Sequence, residues 1–151
     1  MTVRTNTVGL SRRSWLLLPV AAACLYILGR SESRSAPELH VKEVLLEEAK
    51  LLVAAGALIL DVRERTAYES RHIAGAVLAP VSLLSAGIPV ALEYARSIPI
   101  VVYCGDGTTL GPKGTHLLNQ AGFAAAVNFK PGIQGWVDAG LPIEHGAGKQ
   151  A

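Results

Sequence analysis

The chain has 151 residues, 50% of them hydrophobic, which is enough apolar material for one core. Its formal charge of +2 is unevenly placed: residues 1–36 hold five arginines against Glu32 alone, and residues 37–151 hold nine Lys and Arg against eleven Asp and Glu. The basic balance therefore belongs to the leader, and the folded part has no basic stripe of the kind that nucleic-acid binding needs. Its two cysteines, Cys24 and Cys104, make no disulfide framework.

"LSRRSWLLLPVAAACLYILGRSESRSAPE" has a basic start, an apolar block of 14 residues from Trp15 to Leu28, and a polar stretch after it. A spanning helix needs about 20 residues. A secretory apolar region needs about 7–15. Length favours an export signal, with a short uncleaved anchor as the alternative. "SRRSWLL", residues 11–17, resembles the twin-arginine export signal. "AAAC", residues 21–24, is weakly similar to a lipoprotein processing site that would lipidate Cys24, although Ala21 departs from that pattern. An arginine-rich, acid-poor leader also suits a mitochondrial presequence, but those are amphipathic and this block is apolar all round. More positive charge precedes the block than follows it, which predicts that residues 37–151 lie outside the cytoplasm. The expected location is extracytoplasmic, either periplasmic or tethered to the membrane through an uncleaved or lipidated leader. "GRSESRSAPE", residues 29–38, reads as a linker. The expected division is a signal or anchor segment with linker over 1–36 and a folded domain over 37–151.

In the domain, apolar residues at 41, 44, 45, 49, 52 and 53 have helical spacing, predicting a helix over 41–56 with Gly56 as its stop. "ALILDV", residues 57–62, predicts a buried strand ending in an acid. "RTAYESRH" predicts a helical turn, and "AGAVLAP", residues 74–80, a short strand closed by Pro80. "VALEYAR", residues 90–96, predicts a helix, and "IPIVVYC", residues 98–104, the strongest strand. A helix over about 111–121, a strand over 125–129 and a last short helix over 133–140 complete the series. Strands separated by helices predict an α/β fold: a parallel sheet with helices on both faces. In such sheets function collects at the carboxyl ends of strands, where Cys104 and Asp61 fall.

"IVVYCGDGTTLG", residues 100–111, puts Cys104 between a buried strand and a glycine-rich turn into a helix. Unpaired N–H groups there point into one concavity and favour an anion. That layout suits a nucleophilic sulfur. The alternative is a buried, inert small hydrophobe at a strand end. Asp106 either repels a negative sulfur or caps the loop by accepting backbone N–H bonds. Lys113 is near enough in sequence to compensate, or is a solvated helix residue. His116 and His145 stand in no metal-spaced cluster, so no metal site is expected.

Three stretches together resemble the rhodanese-like domain of the single-domain sulfurtransferases. "ILDVRERTAYESRHIAGAVLAP", residues 59–80, is similar to the family's first signature. "VVYCGDGTTLG" is similar to its active-site strand and loop. "KPGIQGWVDAGLP", residues 130–142, is similar to its closing Gly-x-x-x-Trp-x-x-x-Gly-x-Pro signature. The resemblance spans about residues 40–144. It implies a three-layer fold and a persulfide carried on Cys104. The loop Gly105, Asp106, Gly107, Thr108 and Thr109 would cradle that persulfide with its amides. It implies no cofactor, a small sulfur donor of the thiosulfate or mercaptopyruvate type, and a thiophilic acceptor. It gives His72 a structural role.

The departures are specific. Thr109 stands where arginine is common, and "CGDGTT" is closer to the Cys-Gly-Ser/Thr-Gly-Val-Thr loop of mercaptopyruvate sulfurtransferases. Asp106 then replaces a small hydroxyl residue. A loop with Asp106 and no arginine is expected to bind the thiosulfate dianion less well, which leaves the donor open. Arg71 is a candidate charge partner for substrate, or else a surface arginine. Pro131 replaces a glycine of the closing signature. A Cys-x5-Arg phosphatase reading fails on the missing guanidinium. Besides a sulfurtransferase, the sequence allows a non-catalytic rhodanese-like binding module. It also allows a redox thiol sensor, which the lack of a resolving cysteine in the domain disfavours.

Overall fold

The computed structural model describes residues 39–151. The leader, with its apolar block, Cys24 and the expected export signal or anchor, lies outside the described residues. Among those described, no helix is long and apolar enough to cross a membrane.

Among the described residues, eight strands and five α-helices follow in chain order. β1 (Glu43–Val44), α1 (Leu46–Ala54), β2 (Leu58–Asp61) and α2 (Arg65–Ser70) come first. β3 (His72–Ile73), β4 (Val77–Leu78) and α3 (Val81–Ala86) precede a 3-10 helix over Val90–Ser97. β5 (Ile100–Tyr103), α4 (Leu110–Gln120), β6 (Ala126–Phe129) and α5 (Gly132–Asp138) follow, then β7 (Ile143–Glu144) and β8 (Lys149–Gln150). Six strands form one sheet in the order β1-β6-β5-β2-β4-β8, and every pair in it is parallel. β3 and β7 make a separate antiparallel pair.

Period-two alternation sorts the core into two layers. Leu60, Ile100, Val102 and Cys104 face one side, against Leu84, Leu92, Leu118 and Phe123 from α3, the 3-10 helix and the α4 region. Ile59, Val101, Tyr103, Val127 and Phe129 face the other, against Ala49, Tyr68, Ile133 and Trp136 from α1, α2 and α5. The result is the three-layer α/β architecture expected from the alternating elements. All four residues of β5 are buried, as its unbroken apolar run demands of a strand covered on both faces.

Four local expectations are corrected. The predicted helix over 41–56 begins as strand: Lys42 and Val44 carbonyls accept the Asn128 and Lys130 N–H groups at 2.8 and 3.1 Å, and the helix starts at Leu46. Val44, counted as a helix-face residue, is 1% exposed as a strand residue beside Phe129. The 90–96 helix is a 3-10 helix. α3 was not predicted at all; Pro80 sets its start, and Val81 and Leu84 bury one side. The strands β3, β7 and β8 have two residues each, too short to show a period.

Candidate active site

Cys104 follows the last residue of β5, the strand between β2 and β6. Its side chain is 1% exposed and forms part of the floor of a cleft of about 500 Å³. Arg63, Arg71, Gly105, Asp106, Thr109, Leu110, Ile133 and Gln134 complete the lining. The structure therefore brings Arg71, Gly105, Asp106 and Thr109 together with Cys104. Gly107 and Thr108 do not line this cleft; they shape the loop from behind.

Asp106 caps the loop. Its Oδ1 accepts the Thr108 N–H at 3.0 Å, and its Oδ2 accepts the Thr108 hydroxyl at 2.7 Å. These two donors hold its carboxyl below the ordinary carboxylate range. The Cys104 Sγ donates to the same carboxylate at 3.8 Å. The Thr108 amide is thus occupied, unlike the cradle donor expected of it. The N–H groups of Gly105, Gly107, Thr109, Leu110 and Gly111 have no acceptor among the described residues. They belong to the turn after β5 and the first turn of α4, where unpaired donors and the helix dipole favour an anion.

The loop is held by residues far along the chain. Gly107 has φ +75°, and a Cβ there would lie 1.8 Å from the Lys130 carbonyl oxygen. Gly132 has φ +58°, and its Cβ would lie 2.5 Å from the Gly105 carbonyl oxygen. Ile133 and Gln134 N–H donate to the Cys104 and Gly105 carbonyls at 2.9 and 3.1 Å. The closing signature therefore clamps the sulfur loop. Trp136 anchors that clamp, donating from Nε1 to the Pro142 carbonyl at 3.0 Å and meeting Phe129 edge-on.

Asn128 was missed by sequence reasoning. Fully buried in β6, it donates from Nδ2 to the Gly107 carbonyl at 2.8 Å, while its Oδ1 has no hydrogen-bond partner among the described residues. That oxygen sits where a Cβ on Gly111 would collide with it, at 2.3 Å. Asn128→Ala leaves the Gly107 carbonyl unpaired and is expected to cost about 1–3 kcal/mol. Thermal denaturation and amide exchange of residues 105–111 check this; unchanged exchange in the loop would remove Asn128 from its support.

The cleft wall is built on a buried ion pair. Arg63 meets Asp61 through Nε and Nη2, with Nη2 to Oδ2 at 2.5 Å, and the Arg63 N–H also donates to Oδ1. Burial opposes the charge of Arg63, but the hydrogen bonds and charge of Asp61 outweigh it and raise its pKa. Arg63 also donates to the Arg71 carbonyl at 2.8 Å, fixing the backbone there. The Arg71 guanidinium donates to Gln134 Oε1 at 3.2 Å, and Gln134 Nε2 donates to Asp138 at 2.7 Å. Arg63 and Gln134 were absent from the sequence-derived site, because neither stands in the loop that carries the cysteine. His72 has the structural place expected: it is stacked on Tyr68 at 3.8 Å and donates from Nδ1 to the Tyr68 carbonyl. Among the described residues no group of three or more His, Cys, Asp or Glu is placed to hold a metal.

This fold, with a cysteine loop at the carboxyl end of a central parallel strand, has clear relatives. The family model of the rhodanese-like domain matches residues 45–139. The chain belongs to the rhodanese-like family. It is 30% identical over 100 residues to the uncharacterized protein YibN of Escherichia coli K12, covering 66% of this chain and 69% of that protein. It is 30% identical over 95 residues to the thiosulfate sulfurtransferase GlpE of Coxiella burnetii, covering 60% of this chain and 81% of that one. The human single-domain sulfurtransferase TSTD1 superposes with a TM-score of 0.57 at 27% identity, covering 66% of this chain and 97% of that one.

Proposed function

We propose that this domain is a sulfurtransferase that carries a sulfane sulfur as a persulfide on Cys104. The observation that carries the reading is the set of unbonded amides around a cysteine at the floor of a cleft, at the carboxyl end of the central strand. The family membership and the likeness to named sulfurtransferases support it.

The Cys104 thiolate attacks the terminal sulfur of a small donor of the thiosulfate or mercaptopyruvate type. A new S–S bond forms, and the bond from that sulfur to the rest of the donor breaks. From thiosulfate the bond's electron pair leaves on sulfite. From mercaptopyruvate it leaves on carbon, which takes the thiol proton and gives pyruvate. Cys104 is left as a persulfide anion. The amides of Gly105, Thr109, Leu110 and Gly111 are the donors available to that negative charge. A thiophilic acceptor then attacks the outer sulfur, and the Cys104 thiolate leaves. The basic start and apolar block of the leader support an extracytoplasmic or membrane-tethered place for this chemistry.

Incubation with thiosulfate or mercaptopyruvate is expected to add one sulfur, about 32 Da, by intact mass. Cys104→Ser is expected to abolish the addition. A folded protein with a free thiol that gains no sulfur from either donor would retire this reading in favour of a non-catalytic binding module.

A further inference from the structure

β3 meets β7 through a side-chain pair whose hydrogen bonding does not close. His72 stands opposite Glu144 in the antiparallel register, with its ring buried. Its Nδ1 lies 2.9 Å from the Tyr68 carbonyl. A carbonyl only accepts, so Nδ1 carries a proton, and in the neutral ring Nε2 is a bare acceptor. Nε2 has no hydrogen-bond partner among the described residues; it faces Glu144 Oε2 at 3.5 Å. An ionised carboxylate is acceptor-only as well. Two lone pairs therefore meet at the edge of a buried ring, and a buried acceptor left unmatched is costly. The surroundings bring no other side chain to that edge: the ring is stacked on Tyr68 at 3.8 Å, and a Cβ on Gly148 would lie 2.9 Å from Nε2.

We propose that His72 and Glu144 bind one solvent proton between them and so form a pH-sensitive latch between β3 and β7. On Nε2 the proton turns one acceptor into a donor, Nε2–H donates to Oε2, and the two side chains become an ion pair. Glu144 is already aimed, since its Oε2 also accepts the Gly75 N–H at 3.2 Å. Its side chain is 55% exposed, which gives the proton a route to and from water. The other groups around the ring do not compete. From α2, the Tyr68 phenol donates to the Ala76 carbonyl at 2.7 Å; burial and the charges of Asp61 and Glu144 push its pKa up, so it keeps its proton. From the tail, Gly148 brings backbone alone, and Lys149 approaches Tyr68 through its carbonyl. On β7, His145 is turned to the Ser70 carbonyl. α5, packed against β3, carries one charge, Asp138, which accepts the Gln134 amide. The latch adjoins the cleft wall: Arg71, the residue before β3, lines the cleft and gives its carbonyl to Arg63. The folded pair holds a proton that the separated groups release, so the latch is closed at low pH and opens as pH rises.

The test is nitrogen NMR of the His72 ring in the full chain, from about pH 5 to about pH 8.5, with Glu144→Gln beside the wild type. Glu144 is exposed and a glutamine keeps an oxygen for the Gly75 N–H, so the variant is expected to fold. Its amide N–H also offers the bare Nε2 a donor that needs no proton. In the wild type the Nε2 proton is expected at the acid end and lost at the alkaline end, and it is expected to persist to higher pH than in Glu144→Gln. Amide exchange gives the second readout. The Ala74 N–H donates to the Pro142 carbonyl at 3.2 Å, beside the Gly75 N–H on Glu144. Protection of these two amides is expected to fall about tenfold across the range in the wild type, and to hold level or rise in the variant. A ring still bare at Nε2 at the acid end would overturn the latch. So would the same ring titration in both proteins, or protection that falls equally in both. Sulfur loading on Cys104 is scored by mass and is independent of each of these results.

Discussion

Asp61→Ala is expected to destabilise the domain by about 3–5 kcal/mol, the cost of leaving one member of a buried ion pair unmatched. The side chain of Asp61 is fully buried and that of Arg63 only 11% exposed, so water does little to replace the lost partner. Arg63 would keep its bond to the Arg71 carbonyl and its place over the Tyr103 ring, 5.7 Å from the centroid, but neither neutralises it. Tyr103 adds no anion of its own, because burial and the charge of Asp61 push its phenol well above its usual range. Urea denaturation measures the change. Arg63→Ala is expected to cost a comparable amount, and the double variant less than the sum of the two. A loss below about 1 kcal/mol in Asp61→Ala would mean that the pair is solvated and does not hold the cleft wall.

Gly107→Ala is expected to cost more than about 2 kcal/mol and to slow sulfur loading at least about tenfold. Two causes act together. A φ of +75° places any side chain in the left-handed region. The added Cβ also meets the Lys130 carbonyl, a backbone group whose own N–H is tied to the Val44 carbonyl. No rotamer change relieves such an overlap, so the loop must shift, taking the amides of residues 105–111 with it. Gly105→Ala is the control for stability: nothing lies within 4 Å of a Cβ there and its φ is not positive, so its unfolding midpoint is expected to stay close to wild type. Thermal denaturation and the rate of the mass increase measure both effects. Equal stability of the two variants would show that Gly107 is not the fixed point of the loop.

The layer order and the place of the cysteine were legible because they rest on long signals. The unbroken apolar run of β5 needs burial on both faces, and the glycine turn after it needs a sharp exit. Elements set by partners rather than by their own pattern were not legible. β1 is a strand because Asn128 and Lys130 offer N–H groups to it, a fact absent from residues 41–45 themselves. The same reason hid half of the site. Asn128 and Gln134 look like ordinary polar residues of a strand and a helix until the fold carries β6 and α5 back under the cysteine loop. Arg71 was legible as a candidate, but its side-chain partner, Gln134, lies 63 residues along the chain and only the three-dimensional arrangement brings the two together. Asp106 was readable as a cap because its partner, Thr108, lies two residues away.

The clamp of Gly132, Ile133 and Gln134 on the carbonyls of Cys104 and Gly105 sets how far the sulfur can travel. A backbone whose carbonyls are pinned in this way has no swinging arm. A persulfide on Cys104 lengthens the side chain by one S–S bond, about 2.05 Å, and the loop beneath it does not follow. On the sulfur-carrier reading, delivery is therefore the acceptor's task. A small thiol can descend to the cleft floor, whereas a folded protein must present its thiol on a projecting tip narrow enough to enter a cleft of about 500 Å³.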